Sequence, residues 1–478
     1  MDPNVLDYLQ RQISLGKQRL RRYVVNPRGV VYPKRNIYIK TKQYVDAFLG
    51  GNYDQKRWVI IPGLRGTGKT TILAQTYYDL VNQHDEDINV IYFSLDEVIE
   101  TMGADLNVLL REYERLLGES YEALTKPTFL LIDEVQSDPK WAAVLKALNE
   151  RAAKIFLLTS GSSAIHLQDN ADIPGRRAKV ERLFPMNFCE FEMVQYGHFA
   201  DKGLKQALKV AVYDSSDAQE CYEGLISLKG RVDRYWAQVD RRHWRYYLAA
   251  GGLPFALTER TYADIYDAIL SSVDKVVTKD IQQLGRFTPE TVPVIKRLLF
   301  ILAETDAISN HKLRELLGVT TVTIANILDV LVQAELLIRI PPQGSQVGAT
   351  KKPSKYVFMS SAIRAAFYNI AGSSGTSLTR EGRLLEDVAG LHFYRTFGVV
   401  KQGGVFYDSA EGGADFILKT GQTQIAIEVG RGKKTLRQVH NTMKRTPCKY
   451  GITICDEELA LSEHKDAVKL PWDYFALM

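Results

Sequence analysis

The stretch WVIIPGLRGTGKTTIL, residues 58 to 73, constrains the fold more than any other. Its apolar run Trp58 to Ile61 reads as a buried strand, and Gly63-x-x-x-x-Gly68-Lys69-Thr70 as a tight loop. A helical pattern follows from Thr71 to about Gln83. Strand, glycine loop and helix in this order make a phosphate cradle. The loop lets successive backbone N–H groups curl round a phosphate, at a helix N-terminus whose dipole also favours anions. Gly63, Gly66, Thr67, Gly68, Lys69, Thr70 and Thr71 are therefore the expected nucleotide-binding residues. Lys69 would neutralise the β- and γ-phosphates of ATP, and the Thr70 hydroxyl would bind Mg²⁺.

A second element completes the cradle. Thr128-Phe-Leu-Leu-Ile-Asp133-Glu134 is a continuous apolar strand ending in two acids. Asp133 is expected to hold the Mg²⁺ shell, and Glu134 to act as general base on the attacking water. The strand Lys154 to Ser160 ends in Thr159-Ser160-Gly161-Ser162-Ser163, where Ser160 reads as a sensor of the γ-phosphate or simply as a loop. In Asp172-Ile-Pro-Gly175-Arg176-Arg177, the Arg176 guanidinium is the expected finger toward a neighbouring subunit's nucleotide. A salt-bridged surface pair is the plainer reading.

A chain of 478 residues exceeds one core, and a prior of about 150 residues per domain gives three or four. No apolar run approaches the ~18 residues that span a bilayer, so a cytoplasmic protein without membrane contact is expected. Cys189, Cys221, Cys448 and Cys455 form no C-x-x-C pair, which leaves neither a disulfide framework nor a zinc site. Charge is uneven. Residues 1–57 carry twelve Lys/Arg against four Asp/Glu, and residues 430–449 carry seven Lys/Arg and no acid. Two basic ends on a near-neutral body point to a polyanion such as DNA.

With these motifs the chain resembles a family of archaeal and bacterial AAA-type ATPases that carry a restriction-endonuclease-like C-terminal domain. The likeness rests on GLRGTGKTT, LLIDEVQ, TSGSS, PGRR, LFPMNFCEFE and YYLAAGGLP, then on Gly382-Arg-Leu-Leu-Glu386, Ala414-Asp415-Phe and Ile427-Glu428-Val. It implies an α/β architecture: a P-loop AAA-type core, a helical lid, a winged-helix module and a C-terminal α/β nuclease-like domain. The expected boundaries are a basic segment 1–57, core 58–187, lid 188–285, winged helix 290–372 and nuclease-like domain 380–478. It also implies a homo-oligomer, a ring or hexamer. Pro254, in Gly252-Leu253-Pro254, resembles the lid motif that contacts the nucleotide base; a glycine cap and proline stop explain it equally well.

Within the winged-helix segment, helices are expected from Val292 to Glu304, from a Ser309 cap to Leu317, and from about Thr321 to Leu336, with a wing over Ile338 to Met359. The third helix holds no Lys or Arg, so base reading in a groove is not its role. Backbone contacts are expected instead from Lys351, Lys352 and Lys355 of the wing and from Arg431, Lys433 and Lys434 of the basic run.

The C-terminal segment reads as Asp415 closing one apolar strand and Glu428 on the next, with Glu386 on a preceding helix. Such carboxylates hold Mg²⁺ in restriction-type nucleases. The usual lysine two residues after the glutamate is here Gly430, and Lys433 and Lys434 lie past the Gly432 break. Glu386, Asp415 and Glu428 are therefore expected to form a vestigial site on a disarmed scaffold. The leading expectation is an ATP-driven motor on DNA, branched or recombination-type forms included. A slow nucleotide-gated switch and an ATP-dependent nuclease are the alternatives.

Overall fold

The computed structural model describes residues 3–26, 29–53, 56–84, 87–161, 178–281, 288, 290–305, 308–344, 352–371, 377–398, 403–421 and 423–478. They divide into two compact units, Met1–Phe184 and Pro185–Met478.

The first unit is built on five parallel strands: β1 (Trp58–Pro62), β2 (Asn89–Ser94), β3 (Thr128–Asp133), β4 (Ile155–Gly161) and β5 (Ala178–Val180), in the order β2-β3-β4-β1-β5. β1, β3 and β4 are buried along their whole length, which is why they read as unbroken apolar runs. Their side chains alternate between two cores. Trp58, Ile60, Leu130 and Ile132 meet the helices Leu106–Leu117 and Trp141–Arg151 on one face. Val59, Ile61, Phe129 and Leu131 meet α2 (Asn36–Leu49) and α3 (Lys69–His84) on the other. α1 (Pro3–Val24) contributes Val5 and Leu9 to the first core and Leu20 and Val24 to the second. The basic N-terminal segment thus buries an apolar stripe and turns Lys17, Arg21 and Arg22 outward. Parallel pairing brings the carboxyl ends of β1, β3 and β4 to one edge, where the loop before α3 begins.

The second unit opens with helices from Phe188–Tyr196 through Tyr262–Lys275. Asn187 and Glu190 form a reciprocal capping box on the first of them. Helices Thr291–Glu304, Asn310–Leu317 and Thr321–Gln333 follow; the Ser309 hydroxyl caps the second and Gly318, at φ 70°, ends it. The antiparallel pair β6 (Leu337–Ile340) and β7 (Lys355–Phe358) comes next. The helices Ser361–Ala371 and Ser377–Phe393 then lead to a six-stranded mixed sheet. Its strands are β8 (Gly403–Phe406), β9 (Phe416–Thr420), β10 (Thr423–Val429), β11 (Tyr450–Cys455), β12 (Ala460–Leu461) and β13 (Ala467–Pro471), in the order β12-β13-β11-β10-β9-β8. Helix Arg437–Arg445 makes the crossover between the parallel strands β10 and β11.

Two local expectations need correcting. Asp415 does not close a strand; it precedes β9, because the chain turns at Gly412, with φ 66°, just before it. The third helix of the middle segment stops at Gln333 rather than Leu336, and Glu335 takes a left-handed φ of 59° there. Among the described residues no single helix is long and apolar enough to cross a membrane. The pair Asn310–Leu317 and Thr321–Gln333 passes that test only when joined, and it is bent by 104°.

Candidate functional site

The loop between β1 and α3 needs its glycines for two different reasons. Gly66 and Gly68 sit at φ 84° and 96°, a region that side chains with a Cβ avoid. Gly63 is a steric case: a Cβ there would lie 2.3 Å from the Leu183 carbonyl oxygen, which is backbone and cannot swing away. Lys69 opens α3 with its side chain buried, and its Nζ donates to the Gly63 and Leu64 carbonyls at 3.0 and 3.3 Å. The ammonium is thus held over the loop that must cradle a polyphosphate.

Asp133, at the carboxyl end of β3, is the centre of the polar cluster. Its Oδ2 accepts from the Thr70 hydroxyl at 2.6 Å and from the Tyr92 hydroxyl at 3.3 Å, and its Oδ1 accepts from the Ser160 hydroxyl. Burial, and next the neighbouring Glu134 charge, push the Asp133 carboxyl above its ordinary range. A hydroxyl and a carboxylate in contact, both oxygen donors, fit the hard Mg²⁺ ion. Glu134 follows in a left-handed conformation, φ 52° and ψ 45°, with Oε2 accepting from Gln136 Nε2 at 2.5 Å. A non-glycine residue there costs about 1–3 kcal/mol, strain that surrounding structure must hold. Thr70, Asp133 and Glu134 line one cleft of about 370 Å³ together with Tyr92, Arg19 and Arg22.

Of the expected nucleotide residues, Gly63, Gly66, Thr67, Gly68, Lys69, Thr70 and Thr71 lie in this loop and helix start, and Asp133, Glu134 and Ser160 stand at the adjoining strand ends. Arg176 lies outside the described residues. Pro254 opens a short 3-10 turn, Pro254–Thr258, in the second unit.

Arg35 was invisible among the arginines of a basic segment. It is buried, and it donates from Nη1 to the Thr67 carbonyl at 2.8 Å and from Nη2 to the Phe184 carbonyl at 2.8 Å. Arg35 therefore braces the phosphate loop from behind. Arg35→Ala leaves two carbonyls without a charged donor, at about 1.5–3 kcal/mol per bond lost. Its melting temperature is expected to fall, and ATP affinity to drop with it in a binding titration. An unchanged affinity in a folded variant would remove Arg35 from the loop's support.

A second polar cluster lies within the second unit. The register Ile427↔Phe416 sets Asp415 opposite Glu428 across the β9–β10 pair. The Asp415 Oδ2 accepts from the Val429 N–H at 3.0 Å. Lys355, at the start of β7, places Nζ 2.5 Å from Glu386 Oε2 and 3.0 Å from Asp415 Oδ1. The expectation that Lys355 grips DNA on a surface wing is overturned: the residue is 5% exposed and committed to two carboxylates. Burial opposes its charge, but Asp415 and Glu386 outweigh that and hold the ammonium above its ordinary range.

Lys434 is also withdrawn from the basic surface. Its Nζ lies 3.2 Å from Glu428 Oε1, and its stem fills the space beside Gly430, where a Cβ would come 2.0 Å from Lys434 Cε. The turn at Gly432, φ 71°, brings it back. Gly430 is thus the room that a lysine from further along the chain occupies. Arg431 is engaged as well, by Glu381 and Asp456. Lys352 and Lys433 stay exposed, and Lys351 lies outside the described residues.

A family model described as an AAA domain matches residues 55–192, and a model for a domain of unknown function matches residues 241–374. The uncharacterized protein MJ1637 of Methanocaldococcus jannaschii is 31% identical over 449 residues, 93% of this chain and 89% of that protein. Among solved structures, the Aeropyrum pernix ORC1 protein in complex with DNA overlaps 74% of this chain and 96% of its own, at 14% identity and a TM-score of 0.33. The C. elegans PCH-2 structure overlaps 42% of this chain and 51% of its own, at 13% identity and a TM-score of 0.27.

Proposed function

This chain belongs to the family of the M. jannaschii protein MJ1637 and is an AAA-type P-loop ATPase; on that premise we propose that it is an oligomeric ATP-driven motor that acts on DNA. The observation that carries the hydrolytic part is the Thr70 hydroxyl on Asp133 at 2.6 Å, with Glu134 beside it on the cleft. Thr70 and Asp133 would hold Mg²⁺, which neutralises the polyphosphate, and Lys69 would hold the β- and γ-phosphates. Glu134 takes the proton of the attacking water, and Ser160 holds Asp133 in place. Arg176 acts as the finger from a neighbouring copy, and Pro254 belongs to the lid that closes over the base.

DNA is assigned as partner from charge. Lys17, Arg21 and Arg22 of α1 are exposed, as are Lys352, Lys433, Arg437, Lys444 and Lys449. Such residues grip phosphates without reading sequence. The segment 291–358, three helices and a strand pair, is assigned as a winged helix. The sheet β8–β13 with its acid cluster is assigned as a restriction-endonuclease-like module that serves as a platform rather than a blade.

The test is ATP turnover without DNA, then with single-stranded, duplex and four-way-junction DNA, with Glu134→Gln as the blank. Stimulation by one form, suppressed by added salt, is the expected result and names the substrate. A slow rate that no DNA changes would replace the motor with a nucleotide-gated switch.

A further inference from the structure

Three carboxylates and two ammonium groups share one largely buried cluster in the second unit. The side chains of Glu386, Asp415 and Glu428 are 16%, 17% and 3% exposed. Lys355 bridges Glu386 and Asp415, while Lys434 reaches only Glu428 Oε1. The carboxyl groups of Glu428 and Asp415 are in turn hydrogen-bonded to each other. The three acids are thus satisfied from within the chain, by two ammonium groups and by the bond between Asp415 and Glu428.

The position of the Lys355 nitrogen is informative. It lies between oxygens of two different acids, at 2.5 and 3.0 Å. A divalent cation held by these carboxylates would sit about 2.0–2.6 Å from each oxygen, in the same place. An ammonium and a divalent ion cannot share it, because two like charges would lie within bonding distance in a poorly solvated pocket. β7 fixes the lysine there. Its Phe358 N–H donates to Asp387 Oδ1 at 2.8 Å, and Val357 packs so closely on Gly390 that a Cβ would meet its Cγ2 at 2.6 Å. The Phe416 ring, 5.1 Å from Nζ, covers the ammonium.

We infer that Glu386, Asp415 and Glu428 form a site for a divalent cation of the Mg²⁺ or Mn²⁺ type that the chain fills with its own Lys355 ammonium. Divalent metal enters only when Lys355 is withdrawn. The lysine is thus a resident substitute for the metal, supplied from a strand far from the acids in sequence.

The experiment uses the full-length protein and Mn²⁺, followed by the electron paramagnetic resonance signal of the free ion. Glu428→Gln identifies which bound Mn²⁺ belongs to this cluster rather than to the phosphate loop. In the wild type, Glu428→Gln is expected to change nothing up to about 1 mM Mn²⁺, the weak end of carboxylate sites. Lys355→Met is expected to gain one Mn²⁺ per chain, bound at least about tenfold more tightly than in the wild type, and Lys355→Met with Glu428→Gln to lose it again. Lys434→Met, which leaves the bridge between Glu386 and Asp415 in place, is expected to gain none.

A Glu428-dependent Mn²⁺ in the wild type would overturn the inference, since metal and lysine would then coexist. So would the absence of any gain in Lys355→Met. If that variant is unstable, Mn²⁺ is expected to raise its melting temperature and to leave that of the wild type unchanged. A Lys355→Met protein that Mn²⁺ does not stabilise counts against the inference equally.

Discussion

Glu134→Gln is expected to lower the rate of ATP hydrolysis by about 10²–10⁴-fold, the usual contribution of a positioned general base, while ATP affinity stays within a few-fold. Glutamine keeps the length of the side chain and its hydrogen bond with Gln136, because an amide rotates to present the matching group. It also keeps the strained backbone at φ 52°, since the change is confined to the side chain. What it loses is the capacity to take a proton from water. Lys69→Ala separates the roles: it removes the ammonium held over the loop at the Gly63 carbonyl, and binding itself is expected to fail. Single-turnover hydrolysis and equilibrium nucleotide binding, measured on both variants, check the assignment. A Glu134→Gln protein that hydrolyses ATP at the wild-type rate would move the base elsewhere on the cleft, and one that no longer binds ATP would make Glu134 a structural residue.

The nucleotide site was legible because its parts are local. Strand, loop and helix occupy one stretch from Trp58 to His84, and the glycine spacing has few other uses. Asp133 and Glu134 were legible for a related reason. A continuous apolar strand is buried on both faces, so two acids at its end mark the carboxyl edge of a parallel sheet. Arg35 carries no such mark. Its partners are the Thr67 and Phe184 carbonyls, and a bond to backbone leaves no trace in the partner's residue type.

The acid cluster failed in a different way. The structure brings its three carboxylates together, but the cations beside them, Lys355 and Lys434, are not marked in the sequence. Lys355 stands in a segment rich in lysine, which reads as surface, and no local pattern announces that a strand beginning there will be covered by helix Ser377–Phe393 and by Phe416. In the sequence Lys434 lies beyond a glycine break. That break, with Gly432 in the left-handed region, is what returns it to Glu428. Periodicity assigns a side chain to a face within one element; it does not say which distant element closes over that face.

The largest loss of stability is expected from Arg364→Ala. Arg364 is 2% exposed and Asp387 is fully buried; their fork is bidentate, Nε to Oδ2 at 2.6 Å and Nη2 to Oδ1 at 2.8 Å. Nη1 also donates to the Leu302 and Ala303 carbonyls at 3.1 and 2.8 Å, which lie in the last turn of helix Thr291–Glu304; the Ala303 carbonyl accepts from the Tyr368 hydroxyl as well, at 3.0 Å. One guanidinium thus joins that helix to Ser361–Ala371 and Ser377–Phe393. Truncating it leaves the buried Asp387 carboxylate without its cation and takes a donor from the Leu302 and Ala303 carbonyls, at about 3–5 kcal/mol. Lysine cannot reproduce the planar fork, so Arg364→Lys is expected to fall between alanine and the wild type. Hydrogen exchange of residues 291–304 and 355–393, read as the free energy of local opening, measures the effect where it arises. A cost under about 1 kcal/mol in Arg364→Ala would mean that water replaces the guanidinium freely, as at an exposed ion pair. A cost in the expected range would make this pair the clamp that holds β7, and with it Lys355, against the helix that carries Glu386, because Asp387 accepts the Phe358 N–H with the same carboxylate that binds Arg364.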